Sequence, residues 1–117
     1  MNNQSKEMAR IAYKALDEKQ ANDIRIIDIS EISVIADYFI IASGSNPNQL
    51  QAMQDNVDEQ LHKSGYPLKQ VEGNQRSSWI LMDYNDIIVH LFSEEDRFFY
   101  DLEKIWKDGK SINPKEL

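Results

Sequence analysis

The residues best equipped for chemistry in this 117-residue chain lie in one stretch, SSWILMDYNDIIVHLF at 77–92. Asp83 and Asp86 flank Tyr84-Asn85, and two carboxylates at that spacing can share a Mg²⁺ ion. His90, with Asp83 or Ser78, brings together the groups of acid–base catalysis. A third candidate is Gly44-Ser45, between an apolar run and a helix, where helix N-termini bind anions such as phosphate. Each has a plainer explanation. Carboxylates facing across a turn repel unless a cation or basic partner is present, so a solvated hairpin tip or a partner's Lys or Arg accounts for the aspartates. No nucleophile sits beside a base, because strand alternation puts Ser78 on the face opposite His90. A Gly-Ser pair also belongs to ordinary helix-entry turns. His62 lies off the apolar stripe of its helix and is expected in solvent. The chain has no cysteine, and two distant histidines alone do not build a zinc site. The reading is no catalytic residue, no metal and no cofactor.

The same stretch reads well as a β-hairpin. With Tyr84-Asn85 as a two-residue loop, Asp83 pairs with Asp86, Leu81 with Ile88 and Trp79 with His90. Trp79, Leu81, Asp83, Asp86, Ile88 and His90 then share one face, and Ile80, Met82, Ile87, Val89 and Leu91 share the other. The second set is apolar and is the natural core face. The first mixes an indole, an imidazole, two aliphatics and two carboxylates, which suits an interface with aromatic anchors and a charged rim. An equally weighted alternative packs Trp79 and His90 beneath a terminal helix carrying Phe98, Phe99 and Trp106.

The elements that must carry this hairpin are legible around it. Met8, Ile11, Ala12, Ala15 and Leu16 make one stripe of a helix from about Gln4 to Gln20. A short strand follows at Ile24–Ile29, with Ile24 and Ile26 on one face and Ile27 and Ile29 on the other. Residues 30–36 read as loop or a helical turn. DYFIIAS (37–43) is a continuous apolar run, as in a strand buried on both faces. Asn46 and Pro47 mark a helix start, and Gly65 and Pro67 its end, which bounds a helix at 47–64 with Leu50, Met53, Val57 and Leu61 inward. Leu68–Glu72 is a third strand, and strand 37–43, this helix and strand 68–72 suit a right-handed crossover. Ser93 caps a last helix that ends at Gly109, and 110–117 reads as a flexible tail. The order of elements predicts an α/β fold: one domain over 1–109 with a mixed sheet flanked by helices.

Composition narrows the function. Hydrophobic residues at 41% and charged residues at 28% indicate a globular protein. No apolar run approaches the roughly 20 residues of a membrane span, and the N-terminus lacks a signal-peptide core, so the expected compartment is the cytoplasm. The net charge of −7 opposes extensive nucleic-acid contact, which rewards Lys and Arg, and favours a basic protein partner.

The stretches DYFIIASGSNPNQLQAMQDNVDEQL (37–61), Glu72-Gly73, WILMDYNDIIVHLF (79–92) and FYDLEKIW (99–106) resemble, in order and spacing, the ribosomal silencing factor family, also called iojap-like. The resemblance covers about residues 5–107. Two positions depart from the family: Asn85 stands where Gly is common at the hairpin tip, and Ser78 where a small residue or Gly precedes the Trp. Membership implies a fold akin to nucleotidyltransferases without their activity. It also implies binding to the fourteenth protein of the large ribosomal subunit, at the intersubunit face. Joining of the small subunit is thereby obstructed and translation lowered when nutrients are short. Dimers are also known in the family. Carried over by position, Trp79, Asp83, Tyr84, Asp86 and His90 fall in its best-marked motif; hairpin geometry adds Leu81 and Ile88 as partner-binding candidates.

Overall fold

A computed structural model describes residues 3–74, 76, 79–94 and 109–117. Its elements run α1 (Asn3–Glu18), β1 (Asn22–Asp28), β2 (Tyr38–Gly44), α2 (Pro47–Lys63), β3 (Gln70–Glu72), β4 (Trp79–Asp83), β5 (Ile87–Ser93) and β6 (Lys110–Ser111), then a short 3₁₀ turn at Pro114–Glu116. The strands form one sheet in the order β3-β4-β5-β2-β1-β6. Among the described residues only β2 and β5 pair in parallel, and the other pairings are antiparallel. The predicted mixed sheet with flanking helices is what forms. β2 lies between β5 and β1, so its residues are buried along the whole strand, which explains why its run is apolar without alternation.

α2 is bounded by local chemistry. The Asn46 side chain accepts from the Gln49 backbone N–H at 2.8 Å, and Pro47 occupies the first turn. At the other end Gly65 adopts φ +90°, and the N–H groups of Gly65 and Tyr66 donate to the carbonyls of His62 and Leu61. That pair of bonds closes the helix by satisfying its last acceptors. Gly44 matters for contact rather than for turning. A Cβ there would stand 3.1 Å from both Leu50 Cδ2 and Met53 Sδ, so its absence lets α2 lie close on β2.

α1 and α2 pack on one face of the sheet. There Met8, Ala12, Leu16, Leu50, Met53, Val57 and Leu61 meet Ile26, Ile40, Ile80, Met82, Ile87, Val89 and Leu91 in the larger core cluster. The face expected to be core is therefore core. A smaller cluster on the opposite face joins Ile27, Ile29, Ala36, Phe39, Ile41, Ile88 and Phe92, with Trp79 and Leu81 packed against it.

The arrangement differs from expectation in two places. β2 and β3 are not neighbours, since β5 and β4 lie between them; the crossover through α2 reaches the far edge of the sheet. Residues 110–117, expected as a loose tail, lie on the sheet. Lys110 and Ser111 pair with Asp28 and Ile27, Ile112 and Leu117 pack on the larger cluster, and the Leu117 carbonyl accepts from Arg10. A short apolar pattern broken by Lys and Pro hid this edge pairing. The terminal helix expected after Ser93 lies outside the described residues.

Gly73, just past β3, has φ +84°, and a Cβ added there would sit 2.4 Å from the Trp79 carbonyl oxygen. Both the left-handed backbone and the clash oppose a side chain. Gly73→Ala should lower stability by at least about 2 kcal/mol in chemical denaturation. An unchanged midpoint would show that this approach of β3 to β4 is not rigid.

Candidate functional site

The hairpin forms, but one residue farther along than its sequence suggests. The Tyr84 N–H donates to the Ile87 carbonyl at 3.0 Å, and Asn85 and Asp86 make the tip. Asn85 takes φ +71°, which Asn tolerates better than most residues. The Asp83 carboxylate accepts from the Asn85 N–H at 2.8 Å, a side-chain bond that holds the turn from its first strand. Pairing is consequently Asp83 with Ile88, Leu81 with His90 and Trp79 with Phe92. The register differs from the expected one by two residues. A shift of two preserves strand parity, so Trp79, Leu81, Asp83, Ile88 and His90 still share a face, now joined by Phe92.

Burial divides the expected contact residues. Trp79, Leu81, Asp83 and Asp86 keep part of their surface accessible, while Ile88 and His90 are buried beneath them. Tyr84 leaves the set's face altogether. It belongs to the larger cluster, is 3% exposed, and its hydroxyl donates to Asp58 of α2 at 3.0 Å. Burial first, and the Asp58 carboxylate second, hold its phenol well above the usual range. Tyr84 therefore fastens the hairpin to α2. Tyr84 is expected in the loop, but its N–H pairs with the Ile87 carbonyl and its hydroxyl is held by Asp58.

Beneath Trp79 lies a set of packed rings. Trp79 stacks on Phe92 with centroids 5.4 Å apart and an interplanar angle of 26°. The His90 and Phe39 rings make a T-shaped pair with centroids 4.6 Å apart and planes at 74°. The Trp79 indole N–H donates to His90 Nδ1 at 3.0 Å. Phe92 and Phe39 were missed as members of this face; the register shift hid the first, and only the long-range pairing of β2 with β5 reveals the second.

Burial lowers the His90 pKa from 6.5 to about 3. Between those values the unfolded chain binds a proton that the folded chain refuses. Stability from the neutral ring is complete above about pH 6.5 and is lost as pH falls from there toward 3. Relative to a His90→Asn variant, the wild type should lose up to about 1.4 kcal/mol per pH unit over this window. Denaturant melts of both proteins at about pH 7 and pH 5 check this, and parallel losses in the two would contradict it.

The alternative chemistries fare differently. Asp83 is engaged with the Asn85 backbone, whereas Asp86 accepts from Gln4 of α1 at 3.2 Å. The two carboxylates thus accept from different groups, and no group of three potential metal ligands occurs among the described residues. At Gly44-Ser45 the helix N-terminus faces a carboxylate of the chain itself. The Ser45 hydroxyl donates to Glu94 Oε1 at 3.3 Å, and the Asn22 amide donates to both. An incoming phosphate would meet that negative charge. No helix among the described residues is long and apolar enough to cross a membrane.

Comparison with known proteins gives the family. A family model described as "Ribosomal silencing factor during starvation" matches residues 2–117. The chain belongs to the ribosomal silencing factor family. Ribosomal silencing factor RsfS of Bacillus subtilis is 39% identical over 104 residues, spanning 89% of this chain and 88% of that one. A solved crystal structure from Chromobacterium violaceum superposes with TM-score 0.84 at 28% identity, covering 97% of this chain and 92% of that chain. A mouse relative, named "Mitochondrial assembly of ribosomal large subunit protein 1", is 31% identical over 94 residues, which span 78% of this chain and 41% of that one.

Proposed function

We propose that this protein is a non-catalytic translation repressor that binds the large ribosomal subunit and blocks joining of the small subunit. The observation that carries the reading is family membership along the whole chain, residues 2–117. The contact on the ribosome is the fourteenth protein of the large subunit. The net charge of −7 supports a basic protein surface as the partner rather than bare ribosomal RNA. On this chain the contact centres on Trp79 and Leu81, with Asp83 and Asp86 at the rim. Ile88 and His90 support the anchors from below, and Tyr84 fixes the hairpin that presents them. Apolar area in the middle with carboxylates around it is the layout of a protein–protein contact.

A second reading is favoured by the mouse relative's name: an assembly factor acting on the immature large subunit. Density-gradient sedimentation separates the two. With purified mature subunits, the protein should travel with the large subunit, not the small one, and should deplete the joined-ribosome peak in proportion to its occupancy. Protein that binds mature large subunits while joined ribosomes form undiminished would point to assembly instead. Protein left at the top of the gradient would exclude the contact altogether.

A further inference from the structure

His90 is a costly residue to bury at its position. It is 3% exposed, and its Nε2 has no protein hydrogen-bond partner among the described residues. A buried N–H left without a partner opposes folding. Leucine or phenylalanine carries no such N–H to leave unpaired. What imidazole supplies, and they cannot, is an acceptor for the indole of Trp79, 3.0 Å away. Because the Nδ1 lone pair receives the indole proton, the imidazole carries its own hydrogen on Nε2, and one neutral tautomer is selected. The ring that accepts is itself packed in a T-shaped pair with Phe39. Trp79 is therefore fixed twice, through its ring plane on Phe92 and through its N–H on His90.

We propose that His90 is a positioning residue, whose acceptor nitrogen holds the Trp79 indole in the orientation that the ribosomal partner receives. This rests on the assignment of Trp79 as the anchor. Fixing an anchor before contact removes the ordering cost that a mobile side chain pays on binding. The geometry also restricts what the partner offers to Trp79. Its only hydrogen-bond donor is used inside the fold, so recognition falls to the ring surface. That suits an aliphatic side chain or the planar head of an arginine, not a carbonyl or carboxylate acceptor.

The test uses two substitutions of opposite design. His90→Phe keeps a ring and removes the acceptor, whereas His90→Asn gives up the ring but returns an acceptor oxygen near the position of Nδ1. The first measurement is the ¹⁵N-indole proton resonance of Trp79, assigned against Trp106, the second tryptophan. The second is co-sedimentation with isolated large subunits, with a melt for each variant. The wild-type indole proton should be shifted downfield and exchange slowly. His90→Phe should lose that shift and bind roughly 3- to 10-fold more weakly while still melting cooperatively. His90→Asn should recover the shift and most of the affinity. Adding His90→Phe to Trp79→Ala should cost no further affinity. A wild-type indole proton that exchanges as freely as in a short peptide overturns the proposal. So does a His90→Phe variant that loses the shift yet binds like wild type. Should His90→Phe fail to fold, an Asn variant without the shift but with full affinity overturns it just as directly. If Trp79→Ala binds normally while the indole shift is present in wild type, the anchor assignment fails, and His90's role with it, although the hydrogen bond exists.

Discussion

A Val89→Asp variant is expected to show no cooperative unfolding transition. Val89 is fully buried at the middle of the sheet, paired with Met82 on β4 and Ile40 on β2. Its side chain belongs to the cluster formed with both helices, whose buried members are aliphatic side chains, methionines and the tyrosines Tyr38 and Tyr84. A carboxylate placed there has no cation to pair with in that cluster. It must remain charged at a cost of several kcal/mol or take up a proton at nearly the same cost. Domains of this size are stable by about 5–15 kcal/mol, and the substitution also sacrifices the packing of both valine methyls. Near-ultraviolet circular dichroism and a thermal melt read the outcome. A sharp transition near the wild-type temperature would mean that the helix-facing side of β5 has been assigned to the wrong residues.

Trp79→Ala should weaken binding to the large subunit by about 30-fold or more, while leaving a folded protein. Truncating a central aromatic anchor typically costs about 2–4 kcal/mol of association free energy. Trp79 is suited to that role because its ring is packed from below by Phe92 and His90 and partly accessible above. The same packing means that truncation also removes contacts within the fold, so the melting temperature should fall by several degrees. Binding is therefore compared well below both transitions, by co-sedimentation over a range of subunit concentrations. Wild-type affinity in a folded Trp79→Ala protein would remove this face of the hairpin from the contact.

What could be read directly from the chain was whatever is decided within a few residues. The Asn46-Pro47 start and the Gly65 stop placed α2 at 47–64 against an observed Pro47–Lys63, because capping involves only neighbouring backbone groups. Both faces of the hairpin were also legible, since alternation survives a slip of two residues. The slip itself arose at the tip. Tyr84 was read as a turn residue, whereas its side chain is claimed by Asp58 on α2, a contact invisible in local sequence. Asn85 then becomes the first residue of the tip and takes the positive φ. Leu81 and Trp79 kept their expected face, and His90 kept its face but not its exposure. Which strands would lie beside β2 was not readable at all. An apolar run buried on both sides carries no mark of its neighbours, and a two-residue edge strand such as β6 is too short to show alternation.

The parallel pairing of β2 with β5 has a consequence in time. It joins Tyr38 to Ile87, roughly fifty residues later, whereas the turns between β1 and β2 and between β4 and β5 bring near neighbours together. Closing a long loop costs entropy before its contacts repay it, so local hairpins precede distant pairings. During synthesis the first 43 residues, ending in the apolar DYFIIAS segment, leave the ribosome well before the strand that completes the pairing. Until β5 emerges, one edge of β2 has no native neighbour, and such an edge can pair with another chain. That edge of β2 stays open for at least the time needed to make residues 45–93, and slowing translation lengthens the interval.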